Sequence, residues 1–194
     1  RDLNELDIWS NKLSVLGTIL SDKREHFFNQ TKNSYDNIVQ SLGLTSEKKF
    51  IKDLSFEYYK GWEDGVSLEQ TFELEKDNDI RRRVTTKGPH KSDIKVFISN
   101  AEAKEILSRG EQKLLSIIWL CAQHETLRSL YRIKPTLLID DVKSELDNST
   151  FNIFISLLKL IQNQIIFSNI EDQINSKIEA ELITIKKFHV EQLS

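Results

Sequence analysis

Two short stretches carry side chains whose types and spacing could do chemistry. In the first, "LSRGEQK" (107–113), Ser108 precedes a long helical pattern and Glu111 follows three residues later, which is the spacing of an N-terminal capping box. Gly110 falls in the first turn, where it lowers helix stability but lets an anion approach the exposed backbone amides. The stretch therefore predicts a phosphate-binding helix start. A helix cap without any ligand is the alternative.

The second stretch, "TLLIDD" (136–141), predicts a buried strand that ends in two carboxylates, Asp140 and Asp141. Nucleotide-bound Mg²⁺ takes one or two carboxylate ligands, so Asp140 is a candidate to support the metal ion. Asp141 is a candidate to orient or deprotonate an attacking water. The segment "SELD" (144–147) follows directly, and Asp147 and Asn148 are both candidates to cap the next helix. A solvated turn after a strand is the alternative.

The composition indicates a folded protein of one large or two small units. Of the 194 residues, 39% are hydrophobic, and the apolar runs are far too short to cross a membrane. The single cysteine, Cys121, excludes an internal disulfide and is expected to be a buried apolar residue. No secretory leader is visible, so we expect a cytoplasmic protein without membrane contact. Because the chain lacks methionine and begins at Arg1, we expect either a piece of a longer protein or a sequence from which some positions are missing.

Positive charge is concentrated in the middle of the chain. The net charge is −3, but the window 81–113 holds nine Lys or Arg residues against four Asp or Glu, a local charge of +5 that leaves −8 elsewhere. A local basic surface on an acidic protein can bind phosphates, and Arg81, Arg82 and Arg83 are the DNA-binding candidates. A solvated charged face is the alternative.

The hydrophobic periodicity predicts a mainly helical region followed by an α/β region. Apolar residues recur at helical spacing over 3–42, a polar helix is predicted at 67–82, and "DIKVFI" (93–98) reads as a strand. Beyond residue 107, predicted helices at about 109–130 and 148–162 alternate with the apolar strands "TLLID", "QIIFSN" and "LITIKKFHV". This alternation indicates a mostly parallel sheet. We expect a domain boundary near residue 83, with 1–83 helical and 84–194 part of the sheet domain.

The motifs occur in an order that resembles the second half of an ABC-type ATPase head. Ser-x-Gly at a helix start, an apolar strand ending in two acids, and Ser-x-Leu-Asp are similar to the signature motif, the Walker B strand and the D-loop. The resemblance implies an α/β fold: part of an ABC-type head, with a mostly parallel sheet and flanking helices, plus a mainly helical insertion domain. A Walker A loop, Gly-x-x-x-x-Gly-Lys-Ser/Thr, does not occur in the sequence.

Within that class, the sequence most closely resembles the RecF family, whose Walker A lies near the amino terminus, ahead of a helical insertion. The run 61–94, with "GW" at its start and "TTKGPHKSD" near its end, matches the family pattern, as do "LSRGEQKLL" and "LLIDDVKSELD". The segment "LDIWSNKLSVLGTIL" is similar to the helical arm. His90 belongs to the matched run, and we interpret it as a structural residue of a turn.

The resemblance implies roles for individual residues. Those implied to contact the γ-phosphate of an ATP held by a partner subunit are Ser108, Arg109, Gly110 and Gln112. Asp140 would serve Mg²⁺ and Asp141 would be the catalytic acid, while Ser144 and Asp147 would communicate across the dimer interface. An aspartate rather than a glutamate at 141 implies slow hydrolysis, suited to a switch. Without Walker A, the 194 residues alone are predicted to be inactive.

The resemblance also implies a place in DNA replication, repair, recombination and the SOS response. The expected protein forms an ATP-dependent homodimer on double-stranded DNA at gaps and acts with RecR and RecO to load RecA. Three other hypotheses remain open. They are a nucleotide-independent DNA- or protein-binding module, the head of another SMC- or Rad50-like ATPase, and a metal-dependent phosphotransfer enzyme using Asp140 and Asp141 alone.

Overall fold

The computed structural model describes residues 3–43, 50–140, 147–161 and 164–167. Its helices and strands, in chain order, are α1 (Leu3–Ser41), β1 (Leu54–Tyr59), α2 (Leu68–Arg82), β2 (Asp93–Ile98), β3 (Ala101–Glu102), α3 (Ala103–Ile106), α4 (Arg109–Tyr131), β4 (Leu137–Ile139), α5 (Asn148–Leu160) and β5 (Ile165–Phe167). The predicted helices and strands up to "QIIFSN" are confirmed, with ends shifted by a few residues. The predicted strand "LITIKKFHV" (182–190) lies outside the described residues.

The chain forms two compact units. Unit 1 comprises Arg1–Asn33 and Asp53–Ile106, and unit 2 comprises Ser34–Lys52 and Leu107–Ser194. These limits differ from the domain boundary that was expected near residue 83. That boundary concerns the domains of the family, and it stays a prediction. In the part of the chain that the structure describes, no helix has the length and apolarity needed to span a membrane.

Unit 1 contains an antiparallel sheet in the order β1-β2-β3. β1 and β2 pair from Leu54 with Ile98 to Tyr59 with Asp93. The turn between β2 and β3 consists of Ser99 and Asn100, both at positive φ, as a two-residue hairpin turn requires. α2 begins with a capping box, in which Ser67 accepts a hydrogen bond from the Gln70 backbone N–H and the Gln70 side chain accepts one from the Ser67 N–H.

Two glycines in unit 1 hold a pair of loops together. The Gly88 N–H donates to the Gly61 carbonyl at 3.0 Å. Both residues have positive φ, 105° for Gly61 and 132° for Gly88. A Cβ on Gly61 would lie only 2.0 Å from the Gly88 carbonyl oxygen, so residue 61 must be glycine for the loops to meet.

Unit 2 contains a parallel pair of strands packed on helices. β4 and β5 pair from Leu137 with Ile165 to Ile139 with Phe167. A buried cluster on α5 packs against side chains from α4, β4 and β5; its members are Phe151, Phe154, Ile155 and Leu158, with Ile117, Ile139 and Ile165 against them. This core fixes the end of β4 relative to α4 and α5.

Candidate functional site

The start of α4 is an exposed helix N-terminus closed by its own capping box. The Ser108 backbone N–H and hydroxyl both donate to Glu111 Oε2, at 2.9 and 2.7 Å, and the Glu111 N–H donates to Ser108 Oγ at 3.4 Å. Ser108 has the extended backbone of an N-cap residue, with φ −60° and ψ 161°. The capping box predicted from the Ser-to-Glu spacing is confirmed.

The other residues predicted to contact a phosphate also lie in this first turn. Arg109 is the first helical residue and is exposed, while Gly110 is half-buried. The Gln112 N–H donates to the Ser108 carbonyl at 2.9 Å, and the Gln112 Nε2 donates to the Leu107 carbonyl at 2.9 Å. The amides of Arg109 and Gly110 have no acceptor one turn earlier, because a helix leaves its first N–H groups without intrahelical partners. The positive end of a helix of 23 residues lies here.

Asp140 directly follows β4 and is exposed. Ile139, the residue before it, packs into the α5 cluster, so the backbone at Asp140 is held by the core of unit 2. Among the described residues, no group of three or more His, Cys, Asp or Glu side chains could hold a metal ion. A single carboxylate nevertheless fits Mg²⁺ that takes its remaining ligands from phosphate oxygens and water. Asp141 lies outside the described residues.

Asp147 caps the start of α5. Its Oδ1 accepts a hydrogen bond from the Thr150 backbone N–H at 2.6 Å, and Thr150 is buried. The cap predicted for this residue is confirmed, and it stabilises α5 by about 1 kcal/mol. Ser144 lies outside the described residues. The structure thus places the start of α4, Asp140 and Asp147 in unit 2.

The basic candidates lie in unit 1, at the end of α2. Arg81, Arg82 and Arg83 are all exposed, and Arg81 Nη2 donates to Asn78 Oδ1 at 3.1 Å. Arg83 ends the helix in the left-handed conformation, with φ 58°. The turn that follows is fixed by Asp79, whose Oδ1 accepts from the Thr86 N–H at 2.9 Å and the Thr86 hydroxyl at 2.6 Å.

The run "GPHK" (88–91) forms a short 3₁₀ turn that is held from several sides. His90 Nε2 lies 2.9 Å from the Thr85 carbonyl oxygen, which supports its interpretation as a structural residue of a turn. Arg24 on α1 donates to the Pro89 carbonyl at 2.7 Å and to Ser92 Oγ at 2.9 Å. No sequence pattern indicated this role for Arg24, because it lies 65 positions before Pro89 in the chain.

The helices and strands of the chain form an α/β fold. Two solved structures of the recombination mediator protein RecF in the RecFOR pathway are similar to it. The one with ATP has a TM-score of 0.65 at 23% identity, covering 87% of this chain and 46% of that one. The one with ATPrS has a TM-score of 0.66 at 21% identity, covering 89% and 47%. The predicted fold class is confirmed.

Curated proteins that are similar to the chain in sequence carry the name RecF. The chain is 29% identical to the DNA replication and repair protein RecF of Hahella chejuensis over 97% of its own length and 51% of that protein. It is 32% identical to RecF of Francisella tularensis over 87% of its length and 47% of that protein. The chain is a relative of RecF, and the resemblance predicted from its motifs is confirmed. It spans about half the length of these relatives. No family model matches the sequence.

Proposed function

We propose that these 194 residues form part of a RecF-like recombination mediator that binds ATP between two subunits and acts on double-stranded DNA at gaps. The observation that carries the proposal is the start of α4, where Ser108 and Arg109 are exposed and Gly110 is half-buried. The chain matches RecF over 97% of its own residues. In the proposed protein, RecR and RecO are the partners and RecA is the protein loaded onto DNA.

Nucleotide binding is proposed to occur in trans. The γ-phosphate of an ATP held by one subunit meets the start of α4 of the other, where the Gly110 amide and the Ser108 hydroxyl donate to it. Arg109 adds a full positive charge, and a charge-assisted hydrogen bond to phosphate is about twice as strong as a neutral one. Gln112, two residues after Gly110, is proposed to complete the contact. ATP then holds the two heads together.

Hydrolysis is assigned to the acids that follow β4. Asp140 supports Mg²⁺, which would neutralise charge on the triphosphate, and Asp141 orients the attacking water. Ser144 and Asp147 are proposed to lie at the dimer interface. An aspartate is one methylene shorter than the glutamate usual in ABC proteins, so a slow turnover suited to a switch is expected.

The 194-residue chain alone is expected neither to bind ATP tightly nor to hydrolyse it, because it contains no Walker A sequence. We define the RecF chimera as RecF of Hahella chejuensis in which these residues replace the matched half. The chimera should hydrolyse ATP, and Asp140→Asn should lower the rate about 100-fold. Phosphate release in single-turnover assays measures both.

The matched control is Asp53→Asn, an exposed aspartate next to β1 in unit 1, which should leave the rate unchanged. ATP hydrolysis by the 194 residues alone, at a rate abolished by Asp140→Asn, would contradict the proposal. Equal rates for the two variants of the chimera would contradict the role of Asp140.

A second candidate function is DNA binding that needs no nucleotide, favoured by the three adjacent exposed arginines at the end of α2. Changing Arg81, Arg82 and Arg83 to alanine should weaken duplex binding and reduce the slope of log affinity against log salt by about 3. Fluorescence anisotropy of a labelled duplex across a salt series measures the slope.

The control changes three exposed cations outside the basic window, Lys52, Arg132 and Lys134, to alanine. A similar loss of slope in the control would show diffuse attraction rather than a site. Binding that requires ATP in the RecF chimera favours the first function, and binding by the 194 residues alone, unaffected by ATP, favours the second.

A further inference from the structure

Unit 2 contains a cavity of about 330 Å³ at a junction of three helices. Its wall is formed by the end of α1 (34–41), the second half of α4 (121–129) and the end of α5 with the residue that follows it (157–161). The volume is within the range of ligand pockets and holds about eleven groups of the size of a water molecule. Ser108, Asp140 and Asp147 do not line it, so it is separate from the proposed nucleotide site.

The wall of the cavity combines aliphatic and polar side chains. Ile38, Leu157 and Ile161 supply aliphatic surface, while Asn37 and His124 supply polar groups. A hard metal ion needs a full shell of oxygen ligands, which a partly aliphatic wall does not provide. The wall instead suits an organic molecule that has an aliphatic part and a polar end.

Two charged side chains line the cavity and neutralise each other. Arg128 Nε donates to Glu125 Oε2 at 2.9 Å, and Arg128 Nη2 donates to Glu125 Oε1 at 2.8 Å. Both side chains are half-buried. The pair adds no net charge to the cavity. Each carboxylate oxygen has two lone pairs, so Glu125 can accept hydrogen bonds from a further donor.

The remaining electric field comes from the C-terminal ends of the three helices. Ser41, the last residue of α1, and Leu160, the last residue of α5, both line the cavity, and α4 ends two residues after Ser129, which also lines it. A helix C-terminus carries a partial charge of about −0.5, because its last carbonyl groups have no intrahelical partner. The last turn of α1 holds no basic residue, and the one in α5, Lys159, does not line the cavity. The three ends therefore make the potential in the cavity negative.

We propose that this cavity binds a small alkylammonium ion. The charged end lies near the Glu125 carboxylate and the helix ends, and the aliphatic part packs against Ile38 and Leu157. An anion of the same length would meet the negative potential and would have to displace Glu125 from Arg128. A neutral molecule would gain nothing from the potential. Binding is measured without ATP or DNA, so its failure and the failure of the proposed function are distinguishable.

Calorimetry with three probes of equal aliphatic length tests the proposal in the 194-residue chain. The probes are n-pentylammonium, n-pentanol and pentanoate, which differ in charge. Pentylammonium should bind with a Kd below about 1 mM and at least about tenfold more tightly than pentanol or pentanoate. Pentanoate binding as tightly as pentylammonium overturns the proposal. So does the absence of pentylammonium binding at about 10 mM.

Charge changes at Ser41 locate the bound ion. Ser41 is exposed, so both substitutions should leave the core intact. Ser41→Lys should weaken pentylammonium binding about fivefold and Ser41→Asp should strengthen it about fivefold, as expected for a charge near the rim. The control is Ser55→Lys, at an exposed serine of β1 that does not line the cavity, which should change the affinity less than about twofold. Equal effects of Ser41→Lys and Ser41→Asp, or an equal effect of Ser55→Lys, overturn the proposal.

Glu125→Gln gives an independent check. It removes the carboxylate from the cavity, so pentylammonium affinity should fall at least about tenfold and pentanoate should bind beside Arg128. Glu102→Gln, which removes a carboxylate paired with Lys104 in unit 1, should leave both affinities unchanged. Circular dichroism establishes that each variant is folded, and the RecF chimera replaces the 194-residue chain if the chain does not fold. Unchanged pentylammonium affinity in a folded Glu125→Gln protein overturns the proposal.

Discussion

Gly61→Ala is expected to destabilise unit 1 by more than about 4 kcal/mol. The new Cβ would lie 2.0 Å from the Gly88 carbonyl oxygen and 2.8 Å from the Gly88 carbonyl carbon, both backbone atoms. No side-chain rotation relieves such a contact, so the loops must separate and the hydrogen bond between Gly88 and Gly61 must break. Trp62 is buried beside Gly61, so its fluorescence as well as circular dichroism should report the loss during urea unfolding.

Gly65→Ala is the matched control, because it separates backbone strain from the steric clash. Gly65 also has a positive φ, 77°, but a Cβ there would meet nothing within 4 Å. Its cost should be limited to about 1–2 kcal/mol of backbone strain. Equal destabilisation by the two substitutions would contradict the close contact between the two loops.

Ser108→Arg in the RecF chimera should weaken ATP-dependent dimerisation by at least about 100-fold, or about 2.7 kcal/mol. The substitution removes the hydroxyl donor and places a long side chain where the γ-phosphate of the partner's ATP is proposed to enter. ATP binding by each separate subunit should persist, because the proposed trans contact adds to a Walker A site located elsewhere. Sedimentation velocity with a slowly hydrolysed ATP analogue measures the dimer, and a fluorescent nucleotide measures binding to the monomer.

Two controls isolate the phosphate contact. Ser108→Ala removes the helix cap and the hydroxyl but adds no bulk, so it should have a smaller effect on the dimer. Ser116→Arg adds the same side chain at an exposed position two turns further along α4 and should leave dimerisation unchanged. Normal dimerisation of the Ser108→Arg chimera would refute the trans arrangement.

Local patterns in the sequence predicted the elements and the outline of the site. The helix predicted at about 109–130 is found at Arg109–Tyr131, because a capping box, an uninterrupted helical period and a later proline-containing loop all act within a few residues. The same reasoning placed Asp140 at the end of a strand and Asp147 at a helix cap. Each of these patterns involves residues that are close together in the chain, so each can be recognised in a single sequence.

Contacts between distant residues could not be predicted in this way. Three such contacts join residues that are far apart in the sequence. They are the pairing of β1 with β2, the contact of Gly61 with Gly88 and the hydrogen bond from Arg24 to Pro89. The helical spacing of apolar residues predicted α1, but periodicity alone could not show that Trp9, Leu13, Leu16 and Leu20 stay exposed. Hydrophobic spacing indicates that a face needs a partner and leaves the identity of that partner open.

The carboxylate of Glu111 gives the start of α4 an anion of its own. An arriving phosphate competes with a group that already accepts two hydrogen bonds from Ser108, and each such bond contributes about 1 kcal/mol. Free phosphate in solution is therefore expected to bind only weakly at the start of α4. In the proposed dimer, a triphosphate held by the partner subunit would have a high local concentration and would displace the Glu111 carboxylate. The helix start would then bind a phosphate only when the partner subunit presents it.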